Sequence, residues 1–161
     1  MNIAICDSEK NTSSYVYNII SKHLFNKKIK NSTTIYNSAT DLLCEKKTFD
    51  IILSDIYVNG IDIANHIRKK DKHVKIIFIT KSMKYKDYAF SVHAFAYLNK
   101  PIDSEQLCKQ LDDAIDYSKY NLLPNYIEFF NLDNLLKINP LDIYYFEYSN
   151  RKVKIVTKNK I

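Results

Sequence analysis

Four polar residues close four apolar runs along this chain. Asn2-Ile3-Ala4-Ile5-Cys6 ends in Asp7, and Ile51-Ile52-Leu53-Ser54 ends in Asp55. Val74-Lys75-Ile76-Ile77-Phe78-Ile79 ends in Thr80, and Ala94-Phe95-Ala96-Tyr97-Leu98-Asn99 ends in Lys100. Two carboxylates, a hydroxyl and an ammonium gathered in one place can hold a divalent cation and a phosphoryl group. A carboxylate that accepts a phosphoryl group needs the charge on the moving oxygens neutralised. Mg²⁺ does this through oxygen ligands, usually one or two carboxylates together with water and phosphate. Asp7 and Asp55 supply the carboxylates, Lys100 a point charge, and Thr80 a hydrogen-bond donor. Asp55 is the group expected to react. Each residue alone has a plainer use, because Asp after a strand commonly caps a helix or makes a turn. The joint placement at one end of successive strands is what points to a site.

The intervening segments alternate between strand and helix patterns. Ser8 to Phe25 carries Val16, Ile19, Ile20 and Leu24 at helical spacing, with Ser8 as its expected cap. Thr33 to Tyr36 reads as a short strand, Ala39 to Lys46 as a short helix, and Asp50 to Ser54 as a strand buried on both faces. Ile61 to Lys70 is expected to be helical through Ile63, Ala64 and Ile67, Val74 to Ile79 a strand, Tyr85 to Val92 a weaker aromatic-rich helix, and Ala94 to Leu98 the fifth strand. Asp103 and Gln106 form a capping-box-like pair before a helix with Leu107, Leu111, Ala114 and Ile115 on its buried stripe. Five such units predict an α/β fold with a doubly wound five-stranded parallel sheet, flavodoxin-like, followed by a short all-β segment. The sheet domain is expected over residues 1–119 and a linker over 120–125. Beyond it come short β runs at Tyr126 to Phe130, Leu135 to Ile138, Ile143 to Tyr148 and Val153 to Thr157, separated by turn residues.

Composition narrows the class. The chain has 161 residues, of which 46% are hydrophobic, enough for a sizeable core. No run approaches the roughly 20 apolar residues of a membrane span, so no membrane association is expected. The N-terminus has neither a basic region nor a cleavage site, which suits a cytoplasmic protein. Cys6, Cys44 and Cys108 lack metal-site spacing and read as free thiols, Cys6 and Cys108 at buried positions. The net charge of +6 is spread over both parts of the chain and makes only a weak case for nucleic acid. His23, His66, His73 and His93 read as surface residues, and the Arg68-Lys69-Lys70 cluster as a solvated helix end. Gly60 is the only glycine, and a turn with positive φ is its expected use.

Residues 1 to about 118 resemble the receiver domain of two-component response regulators. The matching segments are Ile3-Ala4-Ile5-Cys6-Asp7, Asp50-Ile51-Ile52-Leu53-Ser54-Asp55-Ile56, Ile76-Ile77-Phe78-Ile79-Thr80 and Tyr97-Leu98-Asn99-Lys100-Pro101-Ile102-Asp103. The resemblance implies Asp55 as phosphoacceptor and Mg²⁺ bound through Asp7, Asp55 and the backbone carbonyl of Tyr57. It also implies switch roles for Thr80 and Tyr97, and a cis Lys100–Pro101 bond. Residues 126–161 resemble the N-terminal part of a LytTR-type DNA-binding domain, on Leu136-Lys137-Ile138-Asn139-Pro140-Leu141-Asp142-Ile143-Tyr144-Tyr145-Phe146-Glu147. That part is shorter than the family's domain and is expected to be truncated. The implied activity is that of a response regulator, not a dedicated enzyme, phosphorylated on Asp55 by a sensor histidine kinase to control transcription. A homodimer is compatible with the resemblance, and DNA is a partner only if a complete LytTR domain is present.

Three departures from the receiver pattern stand out. Ser8 occupies the place of a second acid after the first strand, which removes a carboxylate from the Mg²⁺ site, and Glu9 is one position late, its side chain expected to point elsewhere. The segment from Asp55 to Gly60 is short, and Lys81 follows Thr80 where a small residue is usual. A pseudo-receiver that binds partners without useful Mg²⁺ affinity is therefore the alternative. A free-standing phosphatase or phosphotransferase would need a second acid soon after Asp55, and Tyr57 is not acidic.

Overall fold

The computed structural model describes residues 1–81, 83–120, 126–131, 134–149 and 151–157. Two units are distinct, residues 1–118 and 119–161. The first contains β1 (Asn2–Cys6), α1 (Lys10–Asn26), β2 (Ser32–Tyr36), α2 (Ala39–Cys44), β3 (Ile51–Asp55), α3 (Ile61–Lys70), β4 (Lys75–Thr80), α4 (Lys86–Ser91) and β5 (Ala96–Asn99). It also contains most of α5 (Ser104–Tyr120). All five strands are parallel, in the order β2-β1-β3-β4-β5. The order reverses between β1 and β3, where an open α/β sheet leaves a crevice at the carboxyl ends of its strands.

Strand alternation divides the core into two layers. Ile3, Ile5, Ile51, Leu53, Ile77, Ile79 and Leu98 face α1 and α5, where they meet Val16, Ile20, Leu24, Leu107, Leu111 and Ala114. Ala4, Cys6, Ile52, Ile76 and Phe78 face the other way, toward Leu42 of α2, Ile63 and Ala64 of α3, and Ala89 of α4. Every residue of β3 and β4 is buried, as continuous apolar runs require in a sheet covered on both sides. Each fully buried Ile or Leu side chain contributes about 1.5–3 kcal/mol. Register then fixes the site edge: Cys6 lies beside Ser54, Asp55 beside Ile79, and Thr80 beside Asn99.

Several local expectations need correction. The residue at the start of α1 is Glu9 rather than Ser8, and its side chain makes no capping bond. Asp7 intervenes instead, its Oδ1 accepting the Glu9 N–H at 2.8 Å in a turn typical of Asp. Asp103 does cap α5, accepting from the N–H groups of Glu105 and Gln106. Cys108 is only partly buried, whereas Cys6 is fully buried, and burial followed by the nearby Asp7, Asp41 and Asp55 charges pushes its thiol up to about 12. His23 is not a free surface residue, because its Nε2 lies 2.9 Å from Asp112 Oδ1 and ties α1 to α5. Arg68 is not a solvated helix end: its guanidinium donates to the carbonyls of Val74 at 2.8 Å, Val92 at 2.9 Å and His93 at 3.1 Å. The Lys100–Pro101 bond is cis.

Gly60 has no positive φ, and its backbone is ordinary right-handed helix at φ −58°. Close approach explains it instead. Ile56–Gly60 forms a single π-helical turn between β3 and α3. A Cβ at position 60 would lie 2.6 Å from the Asp55 carbonyl oxygen and 3.3 Å from the Phe78 ring. Gly60 thus lets the chain make one tight turn after Asp55 and begin α3 at Ile61. Gly60→Ala is expected to lower stability by on the order of 1–3 kcal/mol, the usual cost of overpacking, as measured by urea unfolding.

The second unit holds two antiparallel pairs, β6 (Ile127–Asn131) with β7 (Asn134–Ile138) and β8 (Ile143–Ser149) with β9 (Lys152–Thr157). The rings of Phe129 and Phe146 lie 6.2 Å apart. Arg151, in the β8–β9 turn, takes φ +59°. The core of the linker, residues 121–125, lies outside the described residues.

Candidate phosphoryl-acceptor site

Asp7 follows β1 and Asp55 ends β3, on the two strands that flank the topological crevice. Lys100 follows β5, two strands away, and its long side chain reaches back across β4. Its Nζ donates to Asp55 Oδ2 at 2.6 Å and to Asp7 Oδ2 at 2.8 Å. All three are secluded, with the Lys100 side chain 6% exposed and Asp7 and Asp55 at 4% and 6%. Burial by itself would lower the lysine's pKa, but its hydrogen bonds to Asp55 and Asp7 outweigh this and hold it above its ordinary value. The second oxygen of each carboxylate is held by backbone, Asp7 Oδ1 by the Glu9 N–H and Asp55 Oδ1 by the Tyr57 N–H at 3.0 Å. The carboxylates are therefore fixed in orientation before any ligand arrives.

Thr80 ends β4 beside this trio and is fully buried. Its carbonyl accepts the Lys100 N–H at 2.8 Å, which locks the lysine's backbone to the β4 end. Tyr97 lies on β5 opposite Phe78, packed with Tyr85 against the α2–α3–α4 side of the core. It sits outside the hydrogen-bonded trio but within its field, since burial, then Tyr57, Asp55 and Tyr85, raise its pKa. The Tyr57 ring is exposed and meets Tyr85 edge-on at 5.9 Å.

The expectation for Glu9 fails. Its carboxylate points back over the site, with Oε2 3.4 Å from Lys100 Nζ and Oε1 2.6 Å from Lys81 Nζ. Lys81, Lys100 and the Thr12 hydroxyl hold the carboxylate there, partners that sequence spacing does not reveal. Hydrogen bonds from Lys81 and Thr12, then the Lys100 charge, lower the Glu9 pKa to about 2. Lys81 thus closes an ion pair at the mouth of the site. Beside that mouth lies an open cleft of about 570 Å³ lined by Tyr15, Pro101 and Ile102 as well as these charged groups.

The donors around Asp7 and Asp55 are oxygens, which suits Mg²⁺, an ion that commonly takes one or two carboxylates and completes its shell with water and phosphate. Among the described residues no group of three His, Cys, Asp or Glu side chains is placed to hold a metal ion. Two carboxylates remain an adequate but lean set, and a bound cation would share them with the Lys100 ammonium.

A buried Asp–Lys–Asp trio at the switch point of a five-stranded parallel sheet is the arrangement of a receiver. The response regulator receiver domain family matches residues 3–112, and the chain belongs to it. Among curated relatives, the sensory transduction protein LytR of Staphylococcus epidermidis is 36% identical over 91 residues, 51% of this chain and 36% of LytR. The probable transcriptional regulator ycf29 of Porphyra purpurea is 32% identical over 112 residues, covering 65% of this chain and 49% of ycf29. The sensory transduction protein LytT of Bacillus subtilis is 34% identical, with 52% of this chain and 34% of LytT covered. The chain spans about a third to a half of the length of these relatives. The response regulatory domain of mrkE from Klebsiella pneumoniae has the same fold, with TM-score 0.67 at 21% identity, covering 74% of this chain and 99% of that one. Among the described residues no helix is long and apolar enough to cross a membrane.

The Glu9–Lys81 pair yields a signed prediction. Glu9's pKa is depressed, so the pairing is fully present above its ordinary value of 4.5 and is lost as pH falls through about 2. Lys81→Met is expected to move the Glu9 midpoint up toward 4.5, as read by carbon-detected NMR titration of the Glu9 carboxyl.

Proposed function

We propose that this chain is a phosphorylation-controlled response regulator in which Asp55 accepts a phosphoryl group from a sensor histidine kinase. The observation that carries this reading is the Lys100 ammonium held between Asp7 and Asp55 beside the buried Thr80. An Asp55 carboxylate oxygen attacks phosphorus, the P–O bond forms as the donor's P–N bond breaks, and the leaving imidazole takes a proton. Phosphoryl transfer depends mainly on positioning and charge, which two backbone-anchored carboxylates and a buried lysine supply. Lys100 then shifts a hydrogen bond from carboxylate to a phosphoryl oxygen, and the Thr80 hydroxyl turns toward another. Tyr97, on the adjoining strand, follows that movement and relays it to the surface near Tyr85 and Tyr88. Mg²⁺, held by Asp7, Asp55 and the Tyr57 carbonyl, would neutralise charge on the phosphoryl oxygens.

Output through transcription rests on the second unit. Residues 126–161 are read as the N-terminal part of a LytTR-like β domain, with residues 1–119 as the receiver and 120–125 as the linker. The two antiparallel pairs and the LytR and LytT relatives support this reading. DNA is a partner where the complete LytTR domain is present, and dimerisation would be set by the phosphorylated receiver.

Mass spectrometry tests the central claim. Mg²⁺ with a small phosphodonor is expected to add one phosphate to the wild type and none to Asp55→Ala. An unmodified wild type, or equal modification of both, overturns it. A second reading, a pseudo-receiver acting by protein contact alone, is favoured by one specific feature. Ser8 leaves the cation two carboxylates, and both already engage Lys100. Sub-millimolar Mg²⁺ binding that disappears in Asp7→Ala would exclude this second reading.

A further inference from the structure

Lys75 opens β4 at the end of the sheet opposite Thr80, about 16 Å away along the strand by its rise per residue. It is 7% exposed, an unusual setting for a lysine. Its ammonium donates to the His73 carbonyl at 2.6 Å and lies 5.0 Å from the centre of the Tyr117 ring. Arg68 stands nearby, its guanidinium spent on the backbone carbonyls of Val74, Val92 and His93. Among the described residues no carboxylate lies within ion-pair distance of either cation. Burial, and then the Arg68 charge, lower the Lys75 pKa, and the Asp71 carboxylate, held by the His73 and Val74 N–H groups, offsets this only in part.

These two cations line a cleft of about 400 Å³, within the size range of small-molecule sites. Lys72, His73 and His93 add further positive or protonatable groups to its wall, and among the described residues no acidic one lines it. The rest of the wall is aromatic. Phe95 and Tyr117 pack edge to face with centroids 6.0 Å apart, and Phe90 projects from α4 at 69% exposure. An anion entering here would add to the partial counter-charge that Asp71 gives Lys75, and a planar ring would find the exposed Phe90 ring to stack on beside the Phe95–Tyr117 pair.

We propose that this cleft is a second binding site, separate from the Asp55 site, for a small anion carrying a planar ring, with a nucleoside monophosphate as the size-matched case. The anionic group sits at Lys75 and Lys72, and the ring lies among Phe90, Phe95 and Tyr117. Because its walls come from α3, the α3–β4 loop, the start of β4, α4, the α4–β5 turn and α5, an occupant would stiffen the surface those elements present.

The test is amide NMR on the full chain, titrated with adenosine monophosphate, and with adenosine and inorganic phosphate as separate probes. Saturable shifts at Val74, Lys75, Ala94, Phe95 and Tyr117 are expected with the monophosphate, and weaker binding with either half alone. Lys75→Met removes the charge and keeps an unbranched chain. It should weaken binding roughly tenfold or more, as loss of one charge from a desolvated pair does. Phe90→Ser, at an exposed position, should weaken it too while leaving the fold intact. Shifts centred on Asp55 and Lys100 would overturn the proposal, as would non-saturating shifts, or equal affinity in wild type and both variants.

Discussion

One ammonium shared by two buried carboxylates governs this molecule's functional end. Asp7 and Asp55 lie on adjacent strands at the crevice of the sheet, where two negative charges out of water would repel each other strongly. Lys100 resolves the conflict by reaching from the far side of β4. Its reach depends on the register of β4 and β5, which places Thr80 beside Asn99, and on the Lys100 N–H bond to the Thr80 carbonyl. Backbone N–H groups of Glu9 and Tyr57 complete the set, so each carboxylate has one oxygen on the lysine and one on the chain.

The approach to the trio is equally constrained. The π-helical turn after Asp55 is tight because Gly60 has no Cβ to strike the Asp55 carbonyl, and it sends the chain directly into α3. On the other side Glu9 and Lys81 neutralise one another across the mouth. Loss of an acid at position 8 is thus partly offset in charge by Glu9, while Lys81 cancels much of what Glu9 brings. The site is a receiver's in its geometry and leaner than usual in its carboxylates.

Much of this was legible in the sequence. Continuous apolar runs such as Ile51–Leu53 and Ile76–Ile79 announced buried parallel strands, and the polar residue ending each run marked the site edge. Asp103 announced the start of α5 by its capping chemistry. Other features were not legible, because they depend on distant partners or on local turns that spacing does not reveal. Arg68 and His23 looked like surface charges until neighbouring elements supplied carbonyls and Asp112. Gly60 suggested positive φ, yet its reason is proximity to a carbonyl five residues earlier. Cys108 follows a buried leucine in α5 but rotates partly into solvent.

Local patterning along the chain was enough to foresee the alternation of strands and helices, the two core faces, and the placing of Asp7, Asp55, Thr80 and Lys100 at one edge of the sheet. Those follow from period-two and period-3.6 patterning and from residue chemistry, which are local properties. Folding in three dimensions was needed to bring Lys100 onto both carboxylates, to turn Glu9 back to Lys81, and to bury Lys75 beside Tyr117 with no carboxylate in ion-pair contact among the described residues. Those outcomes depend on strand order and on the direction of single side chains, and no one-dimensional pattern encodes which charges will share a dry space.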